Sequence, residues 1–229
     1  MYNLLVKDLY LIKKHLWMPI FYSFIIFILF STQNIENQAV VYSKGVAYSI
    51  GTVMIGYTMI MYTTAYDDKN NSEVILNSLP LSRITIVLSR YLSVFIFGII
   101  GMLSMVLSGF ILNSLNILNI STEMMTKSFI GGVVGLGAIT FLYLPIYFKF
   151  GYIKARMFNM VFFIMIFAGP MIIRKFLDKS EKPLWINKLI GYLASQPDYI
   201  ISLFIVGIAI IMGVISIMFS INMYRKREF

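Results

Sequence analysis

"EVILNSLPLSRITIVLSRYLSV", residues 73–94, stands between two long apolar runs and decides how the chain reads. It opens on an acidic residue, breaks at Pro80, carries Arg83 and Arg90, and ends inside an apolar run. Upstream, Asp67-Asp68-Lys69-Asn70-Asn71-Ser72 closes the preceding run in polar residues. Asn70 followed by Glu73 has the spacing of a helix cap with an acidic third residue. The pattern predicts a short helix over about 71–79, with Val74, Ile75 and Leu79 on its apolar side. Pro80 stops it, because proline disfavours helical geometry in the residue before it. Ser82 can cap a second helix that continues into the next apolar run, with Arg83, Val87 and Arg90 on one face. The product is a short helix lying across a membrane surface, joined through a proline break to one that enters the bilayer. Two readings follow: a docking element whose apolar tips enter a partner's groove while flanking charges set the register, or an ordinary amphipathic interface loop.

Composition supports the membrane setting. Of 229 residues, 59% are hydrophobic and 13% charged, against about 25% charged in soluble domains. Mean hydropathy is +0.82. Uncharged runs place six spans at about 16–35, 45–66, 91–113, 128–148, 157–173 and 199–222 within a single domain, 1–229. About 20 helical residues cross a hydrocarbon core of roughly 30 Å, and the fifth run is marginal in length. The first run is long and lacks a small-x-small cleavage pattern, so it reads as a retained span. Twelve of the 19 basic residues fall on the side of both termini, which the positive-inside rule assigns to the cytoplasm. Trp17 and Trp185 fit headgroup anchors, although packing against a neighbouring helix explains either equally simply.

Two amphipathic segments flank the spans. Tyr2, Leu5, Leu9, Ile12 and Leu16 form one stripe, as in a helix lying in the interface or a plain extension of the first span. "KPLWINKLIGYL", residues 182–193, predicts an outer-loop helix with Pro183 in its first turn; it would anchor the loop or act as a lid. The fold class is thus all-α integral membrane, with an N-terminal interfacial helix, a cytoplasmic helix between spans two and three, and an outer-loop helix.

Several chemistries are excluded. Without cysteine there is no disulfide, thiol nucleophile or zinc cluster. The one histidine, His15, has no partners for a triad or metal site and reads as a surface residue. "GGVVGLG", 131–137, lacks the Gly-Lys-Ser/Thr ending of a phosphate loop; Gly131 and Gly135, four apart, instead allow close helix approach. No ionisable residue falls inside a predicted span, which argues against an ion-driven carrier. Basic residues occur in runs of at most three, too short for a nucleic-acid surface. A catalytic set is missing, and no substrate-binding residues can be named.

The 73–94 stretch, the N-terminal "LLVKDLYLIKKHLW" and the six-span layout together resemble membrane-spanning permease subunits of type-two ABC exporters. They are similar to the short permeases of Gram-positive bacteria, including those of phenol-soluble-modulin and antimicrobial-peptide exporters. In that family an acidic-x-x-x-Asn-Ser-Leu-Pro-x-Ser-Arg segment is the coupling helix that contacts the ATPase. The resemblance carries this role to Glu73, Val74, Leu76, Asn77, Ser78, Leu79, Pro80, Ser82 and Arg83. It implies two copies of a separate ABC ATPase that binds ATP and Mg, with no cofactor on this chain and no enzyme activity of its own. It also implies a second permease, identical or homologous, in the plasma membrane of a Gram-positive bacterium, and export of amphipathic peptides or other lipophilic cargo. The competing class is a non-transporting immunity or scaffold protein that sequesters peptides.

Overall fold

A computed structural model describes residues 1–31, 38–115, 122–158, 160–161 and 198–227. Its elements are all helical: α1 (Tyr2–Lys13), α2 (Trp17–Ser31), α3 (Gln38–Lys69), α4 (Ser72–Ser78), α5 (Arg83–Ser114), α6 (Thr122–Phe150) and α7 (Asp198–Arg225). Three helices are long and apolar enough to cross a membrane: Arg83–Ser114, Gly131–Phe150 and Ile200–Arg225. A fourth crossing is available if α1 and α2, bent by 62° at their junction, count as one broken span. Among the described residues, three or four helices long and apolar enough to cross thus stand beside the six expected spans. The expected fifth span, apart from its first residues, and the outer-loop helix with Trp185 lie outside the described residues.

The run at 45–66 forms part of α3, which is long enough to span but is diluted by Thr, Ser, Tyr and Gly. Those residues are polar because α3 is the central helix, touching α1, α2, α4, α5 and α6. Thr52, Thr63 and Thr64 are fully buried, and each hydroxyl donates to a carbonyl three or four residues earlier in its own helix. In an apolar interior this satisfies a polar group that would otherwise cost about 1–3 kcal/mol.

Small residues set the spacing. A Cβ on Gly101 of α5 would lie 3.0 Å from the Thr52 carbonyl oxygen, so α5 can approach the backbone of α3 only with glycine there. On α6, Cβ atoms at Gly131 and Gly135 would come to 3.0 Å from Ser49 Oγ and Val53 Cγ2 of α3. Gly132 is tighter still against Thr52, at 2.9 Å.

Pro145 inside α6 shapes the contact with α7. Proline has no N–H, so the Phe141 carbonyl four residues earlier loses its usual intrahelical donor. Ser216 Oγ of α7 donates to that carbonyl at 2.5 Å. With its proton so used, Ser216 accepts from Tyr91 OH at 2.6 Å, and Tyr91 in turn accepts from Ser220 Oγ at 2.8 Å. One hydroxyl chain therefore ties α5, α6 and α7.

At its end α6 stops at Gly151, whose φ of +81° is the left-handed turn glycine tolerates; its N–H reaches the Tyr147 carbonyl at 2.8 Å. Residues 152–158 continue as helix beyond the turn.

Candidate functional site

The structure gathers the chemistry-bearing side chains at one end of the bundle, where α1, α4, the end of α3, the start of α5 and the ends of α6 and α7 meet. Two arrangements lie there: a buried ion-pair cluster and a clamp between α4 and α7.

In the cluster, Lys7 Nζ of α1 donates to Asp67 of α3 at 2.8 and 3.0 Å. Arg90 of α5 reaches both carboxylates. Its Nη1 donates to Asp8 Oδ2 at 3.1 Å and its Nη2 to Asp67 Oδ2. Ser93 Oγ adds a bond to Asp8 at 2.7 Å. Two acids and two bases make the cluster neutral, with Asp8, Asp67 and Arg90 all buried. Burial by itself would push the Asp67 carboxyl up, but Arg90 and Lys7 outweigh it and hold the group below its ordinary value. The cluster fastens α1 onto α3 and α5. The face of α1 turned to the bundle is Leu4, Asp8 and Ile12. Tyr2, Leu9 and Leu16 of the expected stripe are exposed. Ile12 of that stripe is buried and Leu5 half-buried, while Arg90 and Ser93 hold Asp8 on the inward face.

The clamp begins at α4. Its N-cap is Asn71, held at φ 49° without a side-chain cap bond. The predicted cap, Asn70, instead donates its side-chain N–H to the Tyr66 carbonyl at 3.0 Å, closing α3. Glu73 is thereby free to reach Arg227 Nη2 at 2.8 Å. Asn77 Nδ2 donates to Tyr224 OH at 3.0 Å. After the break at Pro80, Ser82 caps α5 by accepting from the Thr85 N–H at 3.2 Å. Arg83 Nη1 turns to the end of α7 and donates to the carbonyls of Tyr224, Arg225 and Arg227 at 3.0, 2.8 and 3.1 Å. Carbonyls at the end of a helix lack the next turn's donors, and the guanidinium meets both their hydrogen bonding and the negative end of the helix dipole.

The residues expected on the docking element therefore divide. Glu73, Asn77 and Arg83 bind within the chain, and Leu76 packs toward the core. Val74 and Ile75 are 56% and 60% exposed, and Leu79, Pro80 and Ser78 are exposed too. The result is a short helix bolted on one face and apolar on the other. Further along the face of Arg83, Val87 and Arg90 are buried in the bundle.

Behind the clamp runs an aromatic series. Tyr57, Tyr143, Tyr147, Phe148 and Tyr224 follow one another with ring centroids 5.2–6.2 Å apart. It leads from α4's partner Tyr224 through α6 to the middle of α3. A pocket of about 20 Å³ touches both the cluster and the clamp, enough room for one water. A second pocket of about 360 Å³, between α5, α6 and α7, is almost wholly apolar and includes Val94, Phe95, Phe141 and Ile210.

The described residues contain no group of carboxylate or imidazole side chains able to hold a metal. His15, read as a surface residue, is half-buried and bonds Tyr62 OH through Nε2 at 2.5 Å.

Sequence reasoning missed the cluster because its members are far apart in the chain and stand on three different helices. The signal present was the position of Asp67 and Arg90, each at the border of an apolar run, where an unpaired charge would be costly.

No curated protein and no solved structure matches the chain. A family model described as ABC-2 family transporter protein matches residues 3–225, nearly the whole length. The chain therefore belongs to the ABC-2 transporter family, as a multi-pass permease component of an ABC transporter, a membership that implies association with an ABC ATPase subunit.

Proposed function

We propose that this permease belongs to an ATP-driven exporter of amphipathic peptides, and that α4 is the surface through which the ATPase moves it. The observation that carries the reading is the division of α4. Its outer side offers Val74, Ile75 and Leu79 to a partner's groove, while Glu73 and Asn77 fix its inner side to α7. A push on such an element moves α7 and α5 together instead of bending a loop. Ser78, Pro80 and Ser82 set the break that keeps α4 lying across the entrance of α5.

The working complex has two ATPase subunits, which hold ATP and Mg, and a second permease, identical or homologous. Both termini of each permease lie in the cytoplasm of a plasma membrane. ATP-driven closure of the ATPase dimer draws the two α4 helices together, and the spans repack between two states. Peptide cargo is supported by the resemblance to peptide exporters and by the apolar groove between α5, α6 and α7. The many Met and Phe residues of the chain give such a groove an adaptable surface.

The test is to reconstitute the permease with its ATPase in liposomes and measure ATP turnover and transport. Amphipathic helical peptides stimulate turnover and are moved on this reading. Stimulation by lipids or small lipophilic drugs alone would overturn the peptide assignment, and an ATPase indifferent to the permease would overturn the coupling role of α4.

A further inference from the structure

A pocket of about 510 Å³ opens at the elbow between α1 and α2. Lys13, Lys14 and His15 line it from the elbow, Tyr10 from α1, and Tyr62 and Tyr66 from α3. No acidic side chain among the described residues lines it. The nearby carboxylates Asp8 and Asp67 are already engaged by Lys7 and Arg90. Lys13 and Lys14 are exposed and pair with no acid among the described residues. His15 is fixed by Tyr62, with ring centroids 4.4 Å apart, and its Nδ1 has no hydrogen-bond partner among the described residues. The pocket thus offers two ammonium groups beside phenol hydroxyls, donors that recognise a phosphate.

A second feature runs away from that pocket. Trp17, Phe21, Ile25 and Ile28 follow one another at helical spacing along α2, and all four are exposed. They make a continuous apolar track that starts at the elbow. A free phosphate has no use for such a track, whereas a phospholipid does. The 62° bend places the pocket where α1 turns into the more apolar α2, and Lys, Tyr and Trp are the residues that meet headgroups at a membrane surface.

We infer that the elbow binds the phosphate of an anionic phospholipid, with an acyl chain lying along the track on α2. The assignment is independent of cargo and of the ATPase. It gives the α1–α2 elbow a lipid ligand that steadies the junction on the basic side of the molecule.

Trp17 is a reporter inside the track, and Trp185→Phe leaves it as the only indole. The protein, otherwise unchanged, is placed in vesicles of phosphatidylglycerol and phosphatidylcholine in which one or the other carries brominated acyl chains. Brominated phosphatidylglycerol is expected to quench Trp17 with a preference of about tenfold over phosphatidylcholine, two lysines each contributing. Lys13→Gln with Lys14→Gln brings the preference close to one, and because both lysines are exposed the melting temperature stays unchanged. Lys149→Gln with Lys154→Gln, also exposed, leaves the preference intact. Equal quenching by the two lipids would overturn the inference. So would a preference that survives in the Lys13/Lys14 variant, or one lost equally in the Lys149/Lys154 variant. Displacement of the lipid by inorganic phosphate at matched charge would assign the pocket to a soluble anion instead.

Discussion

Asp67 shows how much depends on single residues at the edge of the membrane. Its carboxylate holds Lys7 and Arg90 together, and neither base has another acid besides Asp8 among the described residues. Removing one partner leaves an uncompensated buried charge, at a cost of about 3–5 kcal/mol. Arg90→Gln is therefore expected to lower the melting temperature strongly in detergent, and Asp67→Asn to do so as well. In a double-mutant cycle the two losses should be clearly less than additive, and simple additivity would show that the pair does not couple. The pH dependence has a definite sign. Because the folded-state pKa of Asp67 is lowered from 3.8, its contribution is fully present above that value and fades as pH falls through the depressed one. Thermal melts in acid should show this loss, and Asp67→Asn should flatten it. None of this was legible beforehand, since Asp8 and Arg90 lie 82 residues apart and no local pattern pairs them.

At the scale of elements, local chemistry was readable and long-range chemistry was not. Pro80 as a break and Ser82 as a cap depend only on neighbours in sequence, and the structure has both. The N-cap moved from Asn70 to Asn71 because Tyr66 offered the Asn70 side chain a carbonyl. Glu73 and Arg83 looked like charges for a partner, yet they close on the end of α7, 141 residues or more away in the case of Arg83. Their exchange tests the clamp. Glu73→Lys should cost roughly 1 kcal/mol of stability, since the pair is only partly exposed, and Arg227→Glu in the same chain should recover much of it. The outer face of α4 behaves differently. Val74→Asp with Ile75→Asp should leave the melting temperature of the isolated permease unchanged, because both side chains are exposed. Binding of the ATPase should fall at least tenfold, as read by co-purification of the two subunits.

For the whole molecule, composition sufficed to read a helical membrane protein, and spacing sufficed to find glycines at the α3–α6 contact. The span count did not follow as simply. The uncharged run at 45–66 reads as a span, and α3 over Gln38–Lys69 carries it at the centre of the bundle, its hydroxyl groups satisfied within the helix. A basic end that collects α1, α4 and the tail of α7 gives the permease one face on which an ATPase can act. That face is the central claim, and the absence of cysteine makes it directly accessible. The decisive measurement places a single cysteine at Ile75 and a control cysteine at Leu115, exposed at the far end of α5. Each carries a short photo-activated cross-linker in native membranes. An adduct between position 75 and a protein bearing the phosphate-loop sequence of an ABC ATPase, with none from position 115, is the predicted result. No such adduct from position 75, in membranes where the ATPase is present and active, would contradict the account.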